Sequence, residues 1–95
     1  MREVTVMICR RALISGRVQG VGYRYSTRRQ AQLLGIVGWV QNLLDGRVEA
    51  VIQGDHDQLD LMVRWMHQGP LSAKVEAVAL EEHPVQEFAD FKIRR

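Results

Sequence analysis

The segment from Gly16 to Arg24 carries residue types that can bind an oxyanion. It reads Gly-Arg-Val-Gln-Gly-Val-Gly-Tyr-Arg, with three glycines within seven residues. Glycine tolerates backbone angles that most residues resist, so successive N–H groups of this turn can point into one concavity. A helix that begins near Tyr23 would add the partial positive charge of its N-terminus, and Arg24 would place a bidentate guanidinium beside it. The segment therefore predicts a site for a tetrahedral oxyanion.

Other loops of known chemistry fit this segment poorly. A P-loop requires Lys and then Ser or Thr after its last glycine, where this chain has Tyr23 and Arg24. A dinucleotide-binding loop would need a third glycine at the position of Tyr25. A cysteine phosphatase loop that starts at Cys9 would need arginine at the position of Ser15. A Gly-rich turn that only connects a strand to a helix remains the structural alternative.

Asn42 is the second candidate for chemistry. Its amide offers both a donor and an acceptor, so it can orient a water molecule without taking a proton from it. Alternatively, Asn42 starts the turn that follows it, as asparagine often does. Between Val4 and Leu44 the chain contains no Asp, Glu or His, so this region supplies no general base. The residues favour chemistry by positioning and electrostatic stabilisation, which suits a phosphate with a good leaving group.

The elements that must position these residues begin with a strand and a helix. Residues 12–18 alternate loosely and predict a strand that leads into the Gly-rich turn. Tyr23, Thr27, Ala31 and Leu34 recur at helical spacing, and Gly35 is a plausible stop for that helix. Strand composition over residues 36–42 follows, with Asn42 at the end.

The second half of the chain repeats this order. Asp45 and Gly46 give a hairpin signal, after which residues 48–52 resume a two-residue period. Asp55 and Gln58 can form a capping box for a second helix that ends at Gly69. A strand over 75–80 should place Val75, Ala77 and Ala79 on one face, and a short strand is expected over 91–93. The order β-α-β-β-α-β plus a short extra strand predicts an α+β, ferredoxin-like split βαβ fold, with both helices on one face of an antiparallel sheet.

The composition of the chain limits the classes of protein to which it can belong. The 95 residues are 46% hydrophobic and 25% charged, which indicates one globular domain over residues 1–95. No run approaches the roughly 20 apolar residues of a membrane helix, so no membrane partner is expected. Arg2 and Glu3 precede no run typical of a signal peptide. Cys9 is the single cysteine and cannot form an intrachain disulfide, so a reducing, cytoplasmic location is expected.

Charge is distributed unevenly along the chain. Residues 1–47 carry eight arginines against two acidic residues, whereas residues 48–95 carry five basic residues against nine acidic ones. Charge by itself would suit an anionic partner of the first half, whether a small phosphate compound, a membrane surface or a nucleic acid. His56, His67 and His83 show no metal-ligand spacing, so no metal site is predicted.

Two segments together resemble the acylphosphatase family. The family's first motif, Gly-x-Val-Gln-Gly-Val-x-aromatic-Arg, matches residues 16–24. Its second motif, Gly-aromatic-Val-x-Asn, followed by Gly-x-Val and a later Gly, matches residues 38–54. Both occur in the right order and separation, and the resemblance extends over almost the whole chain.

The resemblance implies a ferredoxin-like fold and hydrolysis of the carboxyl–phosphate bond of acyl phosphates, with no metal, cofactor or covalent enzyme intermediate. By matching position, Asn42 would hold the nucleophilic water. Arg24 would hold the phosphate together with the loop amides, which belong to Arg17, Val18, Gln19, Gly20, Val21, Gly22 and Tyr23. One departure is Tyr23, where the family usually has Phe; a buried hydroxyl there would need a partner.

Other functions stay open on the sequence alone. RNA-recognition modules share this βαββαβ order, but this chain lacks their Lys/Arg-Gly-aromatic motif, so nucleic acid is not the expected partner. A degenerate domain that binds phosphate without turnover, or a piece of a larger maturation factor, is a further alternative. We expect a monomer that acts on a small acyl phosphate and binds inorganic phosphate or sulfate at the loop.

Overall fold

The computed structural model describes residues 6–95. Arg2 and Glu3, on which the prediction of no signal peptide depends, lie outside this range. The elements in chain order are β1 (Ile8–Arg17), α1 (Tyr23–Leu34), β2 (Val37–Asn42), β3 (Val48–Gly54), α2 (His56–Gln68), β4 (Lys74–Glu82) and β5 (Phe91–Ile93). A bilayer-spanning helix does not occur among these residues.

The strands form one sheet in the order β4-β1-β3-β2-β5. The first four strands pair antiparallel, whereas β5 pairs parallel with β2. Buried residues of α1 and α2 pack with every second residue of the central strands in one core, so both helices cover the same face. The predicted ferredoxin-like α+β fold is confirmed, and the short last strand makes the sheet mixed.

The helices begin and end where their capping residues predict. The Asp55 side chain accepts a 2.8 Å hydrogen bond from the backbone N–H of Gln58, and the Gln58 side chain accepts one of 2.8 Å from the Asp55 N–H. This capping box starts α2, and Gly69 ends it. Gly35 ends α1 in a left-handed conformation. The first turn of α1 begins at Tyr23, directly after the Gly-rich loop.

The first strand begins four residues earlier than its apolar alternation predicts. Arg10 and Arg11 interrupt the pattern, yet both lie inside β1. Arg11 forms ion pairs with Glu49 and with Glu81, and Arg10 forms one with Glu82. Charged residues can therefore continue a strand when the neighbouring strands supply opposite charges.

The predicted alternation of β4 is wrong at one position. The register between β1 and β4 shifts at Ser15, so that Ser15 pairs with Ala77 and the next residue pairs with Val75. The extra residue, Glu76, reverses the faces on either side of it. Val75 and Val78 both pack against the core, whereas Ala77 and Ala79 are exposed.

Candidate active site

Arg24 and Asn42 line the same cavity, although 18 positions separate them in the sequence. The cavity has a volume of about 280 Å³. It is lined by Val18, Gly20, Gly22, Tyr23, Arg24, Tyr25, Asn42, Ile93 and Arg95. The end of β1, the start of α1 and the ends of β2 and β5 therefore meet at one edge of the sheet.

The Gly-rich loop delivers the N-terminus of α1 to this cavity. Gly20 and Gly22 have φ angles of 74° and 79°, in the left-handed region that favours glycine. Gly22 is the N-cap of α1, and no side chain caps the first-turn N–H groups. The first turn also contains no acidic residue. Its N–H groups and the helix dipole are therefore available to an anionic ligand.

Arg24 adds a formal positive charge beside these N–H groups. The residue is half-buried and lies in the first turn of α1. Within residues 6–95, no salt bridge includes Arg24. A guanidinium in this position can donate two parallel hydrogen bonds to an oxyanion.

Asn42 is the last residue of β2, where it pairs with Val48 of β3. It lies on the helix-covered face of the sheet, two residues beyond the buried Val40. Its Oδ1 atom is buried and has no hydrogen-bond partner in the structure. Because buried polar atoms are nearly always hydrogen-bonded, this acceptor is available to a water or to a ligand group.

The predicted loop residues divide into two groups. Val18, Gly20, Gly22, Tyr23 and Arg24 line the cavity, whereas Arg17, Gln19 and Val21 do not. Arg17 is exposed and pairs with Lys74, and Val21 packs against the core. The Gln19 side chain donates hydrogen bonds to the carbonyls of Leu43 and Arg47, in the turn after Asn42.

Comparison with known proteins identifies the family. The family model described as Acylphosphatase matches residues 10–93. The chain belongs to the acylphosphatase family. An acylphosphatase of Acaryochloris marina is 55% identical over 89 residues, which cover 94% of this chain and 96% of that protein.

Solved acylphosphatase structures have the same fold as this chain. The acylphosphatase of Coxiella burnetii is 40% identical, with a TM-score of 0.89 and 93% of each chain covered. The acylphosphatase of Bacillus subtilis is 32% identical, with a TM-score of 0.90 and coverage of 95% of this chain and all of that one. The resemblance found in the two sequence motifs is confirmed.

Tyr23 replaces the Phe expected at its position in an acylphosphatase. Its ring is buried beside Trp65, with the ring centroids 5.6 Å apart. Its hydroxyl donates a 2.8 Å hydrogen bond to the Met66 carbonyl. Burial raises the pKa of Tyr23 well above its ordinary value, so the hydroxyl remains a donor at neutral pH. The partner that the sequence required is supplied by the last turn of α2.

The sequence motifs did not reveal Tyr25, Ile93 and Arg95 as part of this acylphosphatase cavity. Ile93 pairs with Val40 in the parallel β2–β5 ladder. Arg95 follows two residues after this last pair and lines the same cavity as Asn42. Predicting that these residues line the cavity would have required knowing that β5 pairs with β2. The sequence of the predicted strand alone does not specify its neighbour.

The cavity lining is rich in positive charge. Its charged side chains are the guanidiniums of Arg24 and Arg95, and its remaining lining residues carry no carboxylate or imidazole. Such a surface favours an anion and stabilises negative charge that develops on it. It offers no carboxylate or imidazole side chain that could act as a general base.

Proposed function

We propose that this acylphosphatase hydrolyses the carboxyl–phosphate bond of acyl phosphates, with Arg24 and the loop amides binding the phosphate and Asn42 holding the water. The enzyme class and the reaction are those of its family. The observation that carries the residue assignment is the shared cavity, which both Arg24 and Asn42 line, together with the unpartnered Oδ1 of Asn42.

The phosphate group fits the loop end of the cavity. N–H groups of the loop residues that line the cavity and the guanidinium of Arg24 would donate to its non-bridging oxygens. These donors stand at fixed positions, so they need little reorganisation when charge develops in the transition state. Inorganic phosphate and sulfate have the same tetrahedral shape and should occupy this place.

Asn42 fits the role of a water-holding residue. Its Oδ1 would accept a hydrogen bond from a water whose oxygen attacks phosphorus. As the new P–O bond forms, the bond between phosphorus and the acyl oxygen breaks, and the carboxylate leaves with the bonding electrons. The water proton passes to a phosphate oxygen, because the cavity lining holds no carboxylate or imidazole side chain that could accept it.

Arg24→Ala and Asn42→Ala test these roles in a metal-free assay of benzoyl phosphate hydrolysis. Loss of one preorganised hydrogen-bonding group should lower turnover by about 100- to 1,000-fold. Arg24→Ala should also weaken inhibition by inorganic phosphate. Arg29→Ala is a matched control, because Arg29 is an exposed arginine of the same helix outside the cavity. Wild-type turnover in Asn42→Ala would refute the water-holding role.

The substrate is a small molecule, and we further propose that residues 1–95 act as one monomeric domain in the cytoplasm. The proposed reducing location is supported by the cysteine content, because a single cysteine cannot form an intrachain disulfide. This residue, Cys9, lies in β1 and is 2% exposed. Light scattering coupled to gel filtration tests the monomer: a mass near 10.9 kDa is expected, and a mass near twice that value would contradict it.

A further inference from the structure

Gln19 joins the Gly-rich loop to the turn that follows Asn42. Its Nε2 donates hydrogen bonds of 2.7 Å to the Leu43 carbonyl and 2.9 Å to the Arg47 carbonyl. Both amide hydrogens are thereby used, and the side chain is half-buried. Gln19 therefore does not point its amide into the cavity, even though it lies between two cavity-lining residues.

The two acceptor carbonyls mark the ends of a closed turn. The Leu43 N–H donates 2.8 Å to the Arg47 carbonyl, and the Gly46 N–H donates 3.2 Å to the Leu43 carbonyl. Asp45 accepts hydrogen bonds from the backbone N–H and the Nε of Arg47. The turn is thus rigid in itself, and Gln19 attaches it as a unit to the loop.

The pairing of the β-strands ends before the Gly-rich loop and before the turn that follows Asn42. The β1–β3 ladder ends at Ile14 with Val48, and the β2–β3 ladder ends at Asn42 with Val48. The loop over 18–22 and the turn over 43–47 extend beyond these last pairs. Throughout residues 6–95, the hydrogen bonds that join this loop to this turn both come from Gln19.

The side chain of Asn42 has no hydrogen bond of its own to fix its Oδ1. The position of the Asn42 side chain relative to the loop is therefore set by the backbone of β2 and by the turn that begins at Leu43. We propose that Gln19 is a positioning residue that sets the distance between the water held by Asn42 and the phosphate held by the loop. This inference rests on the proposed roles of Arg24 and Asn42.

Gln53 offers a matched control for a purely structural glutamine. Its Nε2 donates 2.8 Å to the Gln86 carbonyl, and its Oε1 accepts 2.9 Å from the Gln86 N–H. It lies near the far end of β3 from Val48 and does not line the cavity. Gln53→Leu removes two backbone hydrogen bonds, as Gln19→Leu does, but without touching the loop or the turn.

The first measurement compares kcat and KM for Gln19→Leu, Gln19→Glu and Gln53→Leu, together with their thermal unfolding. A misplacement on the order of 1 Å can cost about 100-fold, so we expect kcat to fall roughly 10- to 100-fold in both Gln19 variants. KM and the phosphate inhibition constant should change far less. Gln19→Glu keeps the shape but loses both donors, so it should not restore turnover. Gln53→Leu should lower the melting temperature similarly and leave kcat near wild type.

The second measurement places Gln19→Leu in the Asn42→Ala background. If Gln19 acts through Asn42, its further effect on kcat should be within about twofold, because the residue it positions is already gone. The full kcat loss in that background, or wild-type kcat in Gln19→Leu alone, would overturn the inference. Inactive wild type would instead refute the proposed function itself, and fully active Asn42→Ala would refute the water-holding role on which the inference rests.

Discussion

The hydroxyl of Tyr23 donates a 2.8 Å hydrogen bond to the backbone carbonyl of Met66. Tyr23 is the first residue of α1, and Met66 lies in the last turn of α2. The last carbonyls of a helix have no partner within it, so this bond satisfies one of them inside the protein. It also ties the start of α1, which carries Arg24, to the end of the second helix.

Tyr23→Phe should lower stability through this bond. The ring would keep its packing, but the buried Met66 carbonyl would lose its side-chain donor. We expect a loss of about 0.5–1.5 kcal/mol in the free energy of unfolding. For a domain of this size, that corresponds to a fall of several degrees in melting temperature, at roughly 4–8 °C per kcal/mol. Urea and thermal unfolding would measure it; an unchanged or higher stability would show that the bond contributes nothing.

Arg24→Lys tests whether the anion needs a guanidinium or only a positive charge. Lysine retains the charge but donates from a single nitrogen and cannot make two parallel hydrogen bonds. We therefore expect Arg24→Lys to remain at least about 100-fold below wild type in turnover. Benzoyl phosphate hydrolysis at saturating substrate gives the answer. Recovery to within a few-fold of wild type would mean that simple electrostatic attraction is sufficient.

Arg95→Gln tests the residue that the sequence motifs did not reveal. Arg95 is exposed at the cavity, so its attraction for an anionic substrate should be weak and screened by salt. We expect KM to rise by about two- to fivefold at low ionic strength, the range of an exposed charge pair, while kcat changes little. The difference should shrink as salt is added. A salt-independent loss of kcat would instead place Arg95 in the chemical step.

Glu49→Gln should alter the acid stability of the fold. Glu49 is buried on the sheet face that the helices leave uncovered. Burial raises its pKa, but hydrogen bonds from Gln41 and Arg11 outweigh this and hold the pKa below its usual value. Its carboxylate therefore stabilises the protein above the unfolded-state pKa of about 4.3, and that contribution is lost as pH falls through the lower folded-state pKa.

Urea unfolding of wild type and Glu49→Gln between pH 7 and pH 3 measures this contribution. The variant should be less stable by roughly 1.5–3 kcal/mol at pH 7, and the difference should decline below about pH 4.3. Glu81→Gln is the control, because Glu81 pairs with the same Arg11 but is exposed and should matter less. A gap that stays constant down to pH 3 would contradict the assignment to Glu49 ionisation.

The sequence predicted the elements whose ends carry specific capping residues. Asp55 and Gln58 formed the expected capping box, and Gly35 ended α1 as expected. The start of β1 was missed because Arg10 and Arg11 look unlike strand residues until their glutamate partners on other strands are known. The bulge at Glu76 was missed for a similar reason, since it is a property of the pairing with β1 rather than of β4 alone.

The site was predictable in its chemistry but not in its full composition. The local order of the glycines and Arg24 predicts an oxyanion site, and the structure brings Asn42 to the same cavity. Arg95 lies at the same cavity because β5 pairs parallel with β2. The sequence of a three-residue strand does not predict which strand it pairs with. The two hydrogen bonds of Gln19 likewise depend on the tertiary contact between the loop and the turn.

A crystal structure with inorganic phosphate tests the central claim most directly. We predict one phosphate in the cavity, with its oxygens within hydrogen-bond distance of the loop N–H groups and of the Arg24 guanidinium, and with a water between it and Oδ1 of Asn42. Phosphate bound elsewhere on the molecule, with the Gly-rich loop and Arg24 making no contact to it, would contradict the account.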